Sequence, residues 1–294
     1  MFNLRLLIVA LVWGINFSVV KFSLRDFHPL SFTVVRFGLA SVFLFALMLI
    51  TREPLAIDRQ DRYPLVKLGF IGITLYNLFF MYGLKYTNAA NSALLISLSP
   101  LAGVLIQAAS GRERLALRTG IGLGLATIGV VLIVRSHEGE LSFSSSAVIG
   151  DLLTLIATVS WALYTIAAKP LLDKYSAVKV TAFAMAAGSI LLIPLSLPDL
   201  IDQSWSSIKP VSWSALGFAA FIGAGTAYVL WYQGVKMIGV TRTMVYHYLV
   251  PFAAVLFAVT LLGESITRFQ VIGGAAVLTG VYLVQAKNNR HRSS

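Results

Sequence analysis

Apolar residues run along this chain in ten stretches of about twenty, each closed by a short turn carrying lysine, arginine, aspartate, serine or proline. The stretches fall near residues 4–24, 31–51, 64–84, 88–109, 116–134, 147–169, 177–197, 211–233, 240–262 and 267–286. About 20 mainly apolar residues suffice for a helix to cross the hydrocarbon of a bilayer, so each stretch predicts one membrane-spanning helix. β-Barrel strands would read as short segments of alternating polarity, which these continuous runs are not. The connections are too short to hold an extramembrane domain. The first run continues through "VALVWGINFSVVKFSL" with no small-residue cleavage site, and it reads as a retained helix rather than a signal peptide.

Composition agrees. The chain is 57% hydrophobic and only 12% charged, with a mean hydropathy of +0.82, where soluble domains carry roughly a quarter charged residues. The expectation is an all-α integral membrane protein. There is no cysteine, which removes disulfides, thiolate metal sites and cysteine nucleophiles together; no metal or cofactor is expected.

The net charge of +11 raises the possibility of nucleic acid, and its distribution argues against it. With the N-terminus in the cytoplasm, 16 Lys and Arg residues fall on the inner face and 6 on the outer, with Arg36 inside the second span. That asymmetry follows the positive-inside rule and predicts cytoplasmic N- and C-termini. The tail "KNNRHR" reads as a solvated anchor beside anionic lipid.

The polar and apolar pattern also repeats. Residues 70–134 align without gaps on 221–285, matching Phe70 with Phe221, Gly72 with Gly223, Gly83 with Gly234, Pro100 with Pro251, Glu113 with Glu264, Gly122 with Gly273 and Gly129 with Gly280. At a separation of 148, Trp13 matches Trp161 and Lys21 matches Lys169. The expected organisation is two five-helix repeats, residues 1–138 and 139–294. Five is odd, so the second repeat enters the membrane from the opposite side and the topology is inverted. Inverted repeats allow a site near the midplane to open to one side and then the other.

"ALVWGINFSVVKFSL", "VVRFGLAS", "GDLLTLIATVSWALYTIAAK" and "LLGESITRFQVIGGAAVLTGVYLV", in this order and spacing, resemble the drug/metabolite transporter superfamily, in particular its ten-helix EamA-type exporters. The resemblance covers essentially the whole chain. It implies a 5+5 inverted-repeat helical fold, a bacterial-type inner membrane, and export of amino acids or related metabolites through a central cavity. Substrate identity does not carry over, because such families share a fold and vary the site.

Polar and aromatic residues within the spans are the candidates for that cavity. Trp13 and Asn16 share a face of the first span, and Trp161 and Tyr164 repeat the spacing in the sixth. The third and eighth spans add Tyr76, Asn77, Tyr228, Trp231 and Tyr232, and the fourth and ninth add Ser97, Ser99, Tyr246 and His247. Aromatic faces attract an ammonium, and amides and hydroxyls orient a carboxylate. Tyr63, Tyr82, Trp205 and Trp213 lie near span ends, where such residues usually serve as interfacial anchors. His247 stands out because its counterpart is Ile96, and an ionisable group within a span is a functional hypothesis by default; the plainer alternative is a neutral histidine joining two helices.

Pro100 and Pro251 fall mid-span at matching positions and predict bent helices suited to gating, or to static packing. Glu113, Glu264 and Asp151 read as partners of helix starts. Arg36, five residues into its span, lies where it could meet a substrate carboxylate, though an arginine near a span end is expected to snorkel outward.

None of the twelve acidic residues falls mid-span, which ranks an organic-cation or multidrug exporter below an exporter of zwitterionic or neutral metabolites. The chain shows no H-E-x-x-H, G-x-S-x-G or clustered carboxylates, and no enzyme is expected. The expected partners are a small-molecule substrate such as an amino acid, the lipid bilayer, and protons as a candidate coupling ion; monomer and homodimer are both compatible. A channel or a non-transporting membrane subunit is the alternative from another class.

Overall fold

Helices begin where a cap or a proline permits them. In the computed structural model, which describes residues 3–86, 95–111, 116–135, 145–262 and 268–285, the Asn3 side chain accepts a hydrogen bond from the Arg5 N–H at the head of α1 (Leu4–Ser23). Proline opens α2 (Pro29–Ile50), where its missing N–H has no helical partner to lose. Then follow α3 (Arg59–Gly69), α4 (Tyr76–Tyr86), α5 (Ser99–Ala109), α6 (Leu117–Arg135) and α7 (Ser145–Lys174). Ser176 caps α8 (Ala177–Asp202), and Pro210 opens α9 (Pro210–Phe218). After α10 (Ala227–Ile238), Gly239 turns the chain at φ +83°, a conformation costly for any residue with a Cβ. The remaining elements are α11 (Val240–Met244), α12 (Leu249–Leu262) and α13 (Arg268–Gln285). Every regular element among the described residues is helical.

Five helices are long and apolar enough to cross a membrane, at Pro29–Ile50, Arg59–Gly83, Val148–Lys174, Ala177–Asp202 and Pro210–Ile238, and shorter apolar helices accompany them. Large apolar side chains such as Ile50, Leu152, Ile190 and Ile272 lie exposed on the outside. An outer surface of this kind needs lipid rather than water around it.

The structure departs from ten uninterrupted spans. A π-helical stretch, Phe70–Leu75, joins α3 to α4, and a second, Ala219–Thr226, joins α9 to α10. The span expected at 88–109 is broken by a turn at Leu98, and that at 240–262 is divided into α11, a 3-10 turn at Val245–Tyr248, and α12. Pro100 and Pro251 therefore lie in the first turns of α5 and α12 rather than at mid-helix bends, because a first turn is where a missing N–H costs least. The span at 147–169 extends to Lys174 through Pro170. The repeat boundary at 138/139, Glu113, Glu264 and the basic tail lie outside the described residues.

In lipid, close backbone approach contributes more to helix association than apolar burial does. α6 and α13 pack together through glycines. A Cβ at Gly280 would lie 2.5 Å from the Gly122 carbonyl oxygen, and one at Gly129 would lie 2.5 Å from that of Gly273. Gly122 corresponds to Gly273 and Gly129 to Gly280 in the repeat alignment, so this antiparallel crossing is self-complementary. Other contacts pair off in the same way: α2 packs on α8, α4 on α7 as α1 does on α10, and α5 on α7 as α12 does on α1.

Two polar interlocks tie the ends of this bundle. Beyond the Ile50 end of α2, Asp61 accepts hydrogen bonds from Lys174 Nζ (2.9 and 3.0 Å) and from the Tyr175 hydroxyl (2.9 Å), while Ser176 donates to Glu53 (2.6 Å). At the Pro29 end, Ser212 donates to the Asp26 carboxylate (2.6 Å), Gln203 donates to the Asp26 carbonyl (3.0 Å), and Leu30 N–H donates to Asp199 (3.0 Å).

Candidate functional site

Between the two ends, α1, α4, α7, α10 and the 3-10 turn bring eight of the sequence-expected residues into contact. Trp13 meets Trp161 edge to face at 5.4 Å between ring centroids, Tyr228 at 5.7 Å, Trp231 at 5.2 Å and His247 at 5.7 Å. Trp161 in turn packs against Tyr76 (5.4 Å), Tyr164 (5.6 Å) and Tyr228 (5.4 Å) and stacks with His247 (5.8 Å). Tyr232 joins through Tyr164 at 5.2 Å. All but Tyr76 are buried. Offset and edge-to-face pairs of this kind add about 0.5–1.5 kcal/mol beyond burial, and aromatic faces of this kind attract cations.

The π-helical stretches shape this centre. Against Ala219–Thr226 lie Asn16, whose amide sits on Gly223, and Trp13, whose Nε1 donates to the Gly223 carbonyl at 3.0 Å. Against Phe70–Leu75, the Tyr164 ring lies on Gly72. A side chain at either glycine would displace its neighbour. The three tryptophans then differ: Trp231 Nε1 donates to Thr165 (3.3 Å) and Trp13 Nε1 to Gly223, but Trp161 Nε1, like Asn16 Oδ1, is buried with no hydrogen-bond partner. Asn77 spends its amide on Ile73 O (2.7 Å) within its own helix, at the junction of the π and α segments.

A 3-10 helix turns each residue about 120° from the last, so Tyr246, His247 and Tyr248 diverge. His247 Nδ1 and Ser99 Oγ share a hydrogen bond at 3.0 Å, joining the turn to α5. Tyr246 leaves the cluster, its hydroxyl accepting from Asn3 N–H (2.7 Å), and Tyr248 pairs with Thr127 (2.8 Å). Ser97 is buried one residue before the break at Leu98. Tyr63, Tyr82, Trp205 and Trp213 are exposed at the periphery, and Trp213 packs on Phe27 beside the Asp26 interlock.

Arg36 does not snorkel. Its Nε donates to the Ala219 carbonyl at 3.1 Å and its guanidinium lies 5.0 Å from the Phe37 ring, within electrostatic range of the Tyr76 and Tyr228 hydroxyls. The π-helical carbonyl facing α2 draws it inward. Phe37 and Thr165, also absent from the sequence-expected set, support the cluster through Tyr228 (5.9 Å) and Trp231. A repeat of Phe-Ile-Gly at residues 70–72 and 221–223 is the one sequence signal that marks the π segments.

The EamA-like transporter family matches residues 2–135 and again residues 148–286. The chain belongs to that family. An uncharacterized transporter of Archaeoglobus fulgidus is 33% identical to this EamA-like transporter, over 98% of each chain. The "Probable terminal-alkyne amino-acid exporter" of Streptantibioticus cattleyicolor is 27% identical, over 96% of this chain and 92% of its own. A crystal structure sharing 21% identity superimposes with a TM-score of 0.83 over 96% of both chains and shares the fold. This EamA-like transporter is thus an integral membrane protein of a transporter family, and the aromatic centre is its candidate substrate site.

Proposed function

We propose that this EamA-like transporter is a secondary transporter that exports small organic metabolites, amino acids foremost, across the bacterial-type inner membrane by alternating access. The chain then forms ten spans in two inverted five-helix repeats, residues 1–138 and 139–294, with both termini cytoplasmic. The observation that carries the reading is the contact of Trp13 with Trp161: matching residues of the two halves meet at the centre, where a rocking of one half against the other would open them to either side. The reciprocal glycine crossing of α6 and α13 supports the inverted relationship, and the double family match supports the two halves.

The name of the Streptantibioticus relative favours amino acids. So does the chemistry of the centre: rings, hydroxyls and amides suit a zwitterion, whereas Asp26, Glu53, Asp61, Asp173 and Asp199 take partners outside the ring cluster, and a cation exporter would need an acid among the rings. Proteoliposomes loaded with pooled amino acids, organic acids and amines test the reading directly. Release of a small set of amino acids above protein-free vesicles is expected; release of amines alone, or of nothing from folded protein, would contradict it.

A further inference from the structure

We infer that Arg36, with the Tyr76 and Tyr228 hydroxyls and the Trp161 indole N–H, forms a carboxylate subsite at the edge of the aromatic centre, so that the transported molecule is a small organic carboxylate. The inference rests on the transport reading and narrows its substrate class.

Four donors sit on neighbouring side chains there: the Trp161 ring packs on Tyr76 and Tyr228, and the Arg36 guanidinium lies over the Phe37 ring, which packs on Tyr228. Arg36 offers five N–H groups in a planar fork, and one of them is used, by Ala219 O. Among the described residues no carboxylate pairs with it; the ion pairs formed are Lys169 with Asp173 and Lys174 with Asp61, both at the bundle end. The Tyr76 and Tyr228 hydroxyls make no hydrogen bond among the described residues, although both lie within electrostatic range of the guanidinium. Trp161 is 3% exposed and its Nε1 is unpartnered; its ring touches both tyrosines, at 5.4 Å each.

A half-buried guanidinium with no counter-ion among the described residues is costly, and so is a buried donor left unmade, as at Trp161 Nε1. A single carboxylate resolves both at once. It fits the guanidinium fork bidentately and has lone pairs left for hydroxyl and indole donors. The rest of the ligand has its own surroundings: the Trp13, Trp231 and His247 rings lie next to Trp161, so an ammonium or an apolar side chain attached to the carboxylate would rest against them. Arg36 has no basic counterpart in the other half, where the 148-residue offset gives Ala184. The subsite is therefore one-sided, and a ligand bound there has a fixed polarity across the pseudo-symmetric centre.

The test uses the full-length purified protein and three probe pools: the twenty amino acids, the corresponding amino-acid amides, and the corresponding deaminated acids. Binding is read by intrinsic tryptophan fluorescence and by thermal stability, since Trp13, Trp161 and Trp231 surround the site. Amino acids should bind at least about tenfold more tightly than their amides, as expected when a charge-assisted pair is lost. Arg36→Gln should remove that preference, and Arg36→Lys should restore part of it. Tyr228→Phe should weaken acids more than amides, since the charged acceptor loses the stronger bond. Binding of the deaminated acids would show that the carboxylate suffices; binding of amino acids alone would assign the ammonium to the rings. Equal affinity for acids and amides in the wild-type protein overturns the subsite, and that comparison decides even if Arg36→Gln does not fold. Retention of the acid preference in folded Arg36→Gln also overturns it, leaving Arg36 as a structural pin for the π segment. Release of amides or amines from proteoliposomes would sink the subsite while leaving transport intact; no binding and no release from any pool would sink both.

Discussion

Trp13 and Trp161, 148 residues apart in sequence, meet edge to face at 5.4 Å with ring planes 77° apart. They occupy matching positions of α1 and α7, yet their indole N–H groups have opposite fates. That of Trp13 is anchored to Gly223 O, whereas that of Trp161 has no partner. Structural and functional roles of the pair are therefore separable.

Replacing each tryptophan with phenylalanine exploits the difference. Trp13→Phe forfeits one buried hydrogen bond and strands a carbonyl, a loss of about 1 kcal/mol, on top of the void that both substitutions create. Trp161→Phe loses no bond. Thermal unfolding followed by size-exclusion chromatography should rank Trp13→Phe as the less stable variant, while substrate release from proteoliposomes should fall further for Trp161→Phe.

Ser99 and His247 offer a second test. Their bond spans two helical segments and leaves the imidazole face stacked on Trp161. His247→Ala is expected to reduce transport without loss of folded protein. In a double-mutant cycle with Ser99→Ala, the stability coupling should be about 0.5–1.5 kcal/mol. Wild-type transport by His247→Ala would remove the histidine from the site and leave it a helix bridge.

The all-helical class, the long apolar helices and the eight aromatic and imidazole side chains that meet at the centre were legible in the sequence, because most of them depend on local hydropathy or on the internal repeat. What escaped depends on register and on partners. A π-helical turn shifts hydrogen bonding by one residue without demanding a residue type, so Phe70–Leu75 and Ala219–Thr226 left only a repeated Phe-Ile-Gly. Tyr246 carries the same side chain as its cluster-forming relatives, but a 3-10 turn points it at Asn3. Arg36 turns inward because a carbonyl 183 positions away faces it, a fact no window around residue 36 contains.

The glycine crossing predicts a position-specific stability effect along one helix. Gly129→Ala forces a methyl against the Gly273 backbone and should cost about 1–3 kcal/mol through overpacking. Gly124→Ala, on the same helix with nothing within 4 Å of its Cβ position, should be neutral or slightly stabilising. Equal thermal midpoints for the two variants would mean that α6 and α13 do not rely on this contact.

The interlock beside Pro29 should contribute to acid sensitivity, alongside Asp61, whose carboxyl the Lys174 ammonium likewise holds low. The Ser212 hydroxyl, chiefly, holds the Asp26 carboxyl below its ordinary value of 3.8. A depressed folded value means that the carboxylate's stabilisation is complete above the unfolded value and fades as pH falls through the folded one. Thermal midpoints of the wild-type protein should therefore drop below about pH 4 more steeply than those of Ser212→Ala. Parallel pH profiles would remove Asp26 from the account.

Alternating access is the central claim, and trans-stimulation in proteoliposomes measures it most directly. With a labelled substrate inside, unlabelled substrate added outside should accelerate its release and saturate, because a carrier returns faster loaded than empty. Release that is indifferent to external substrate, and that scales linearly with the gradient, would contradict a carrier and describe a channel.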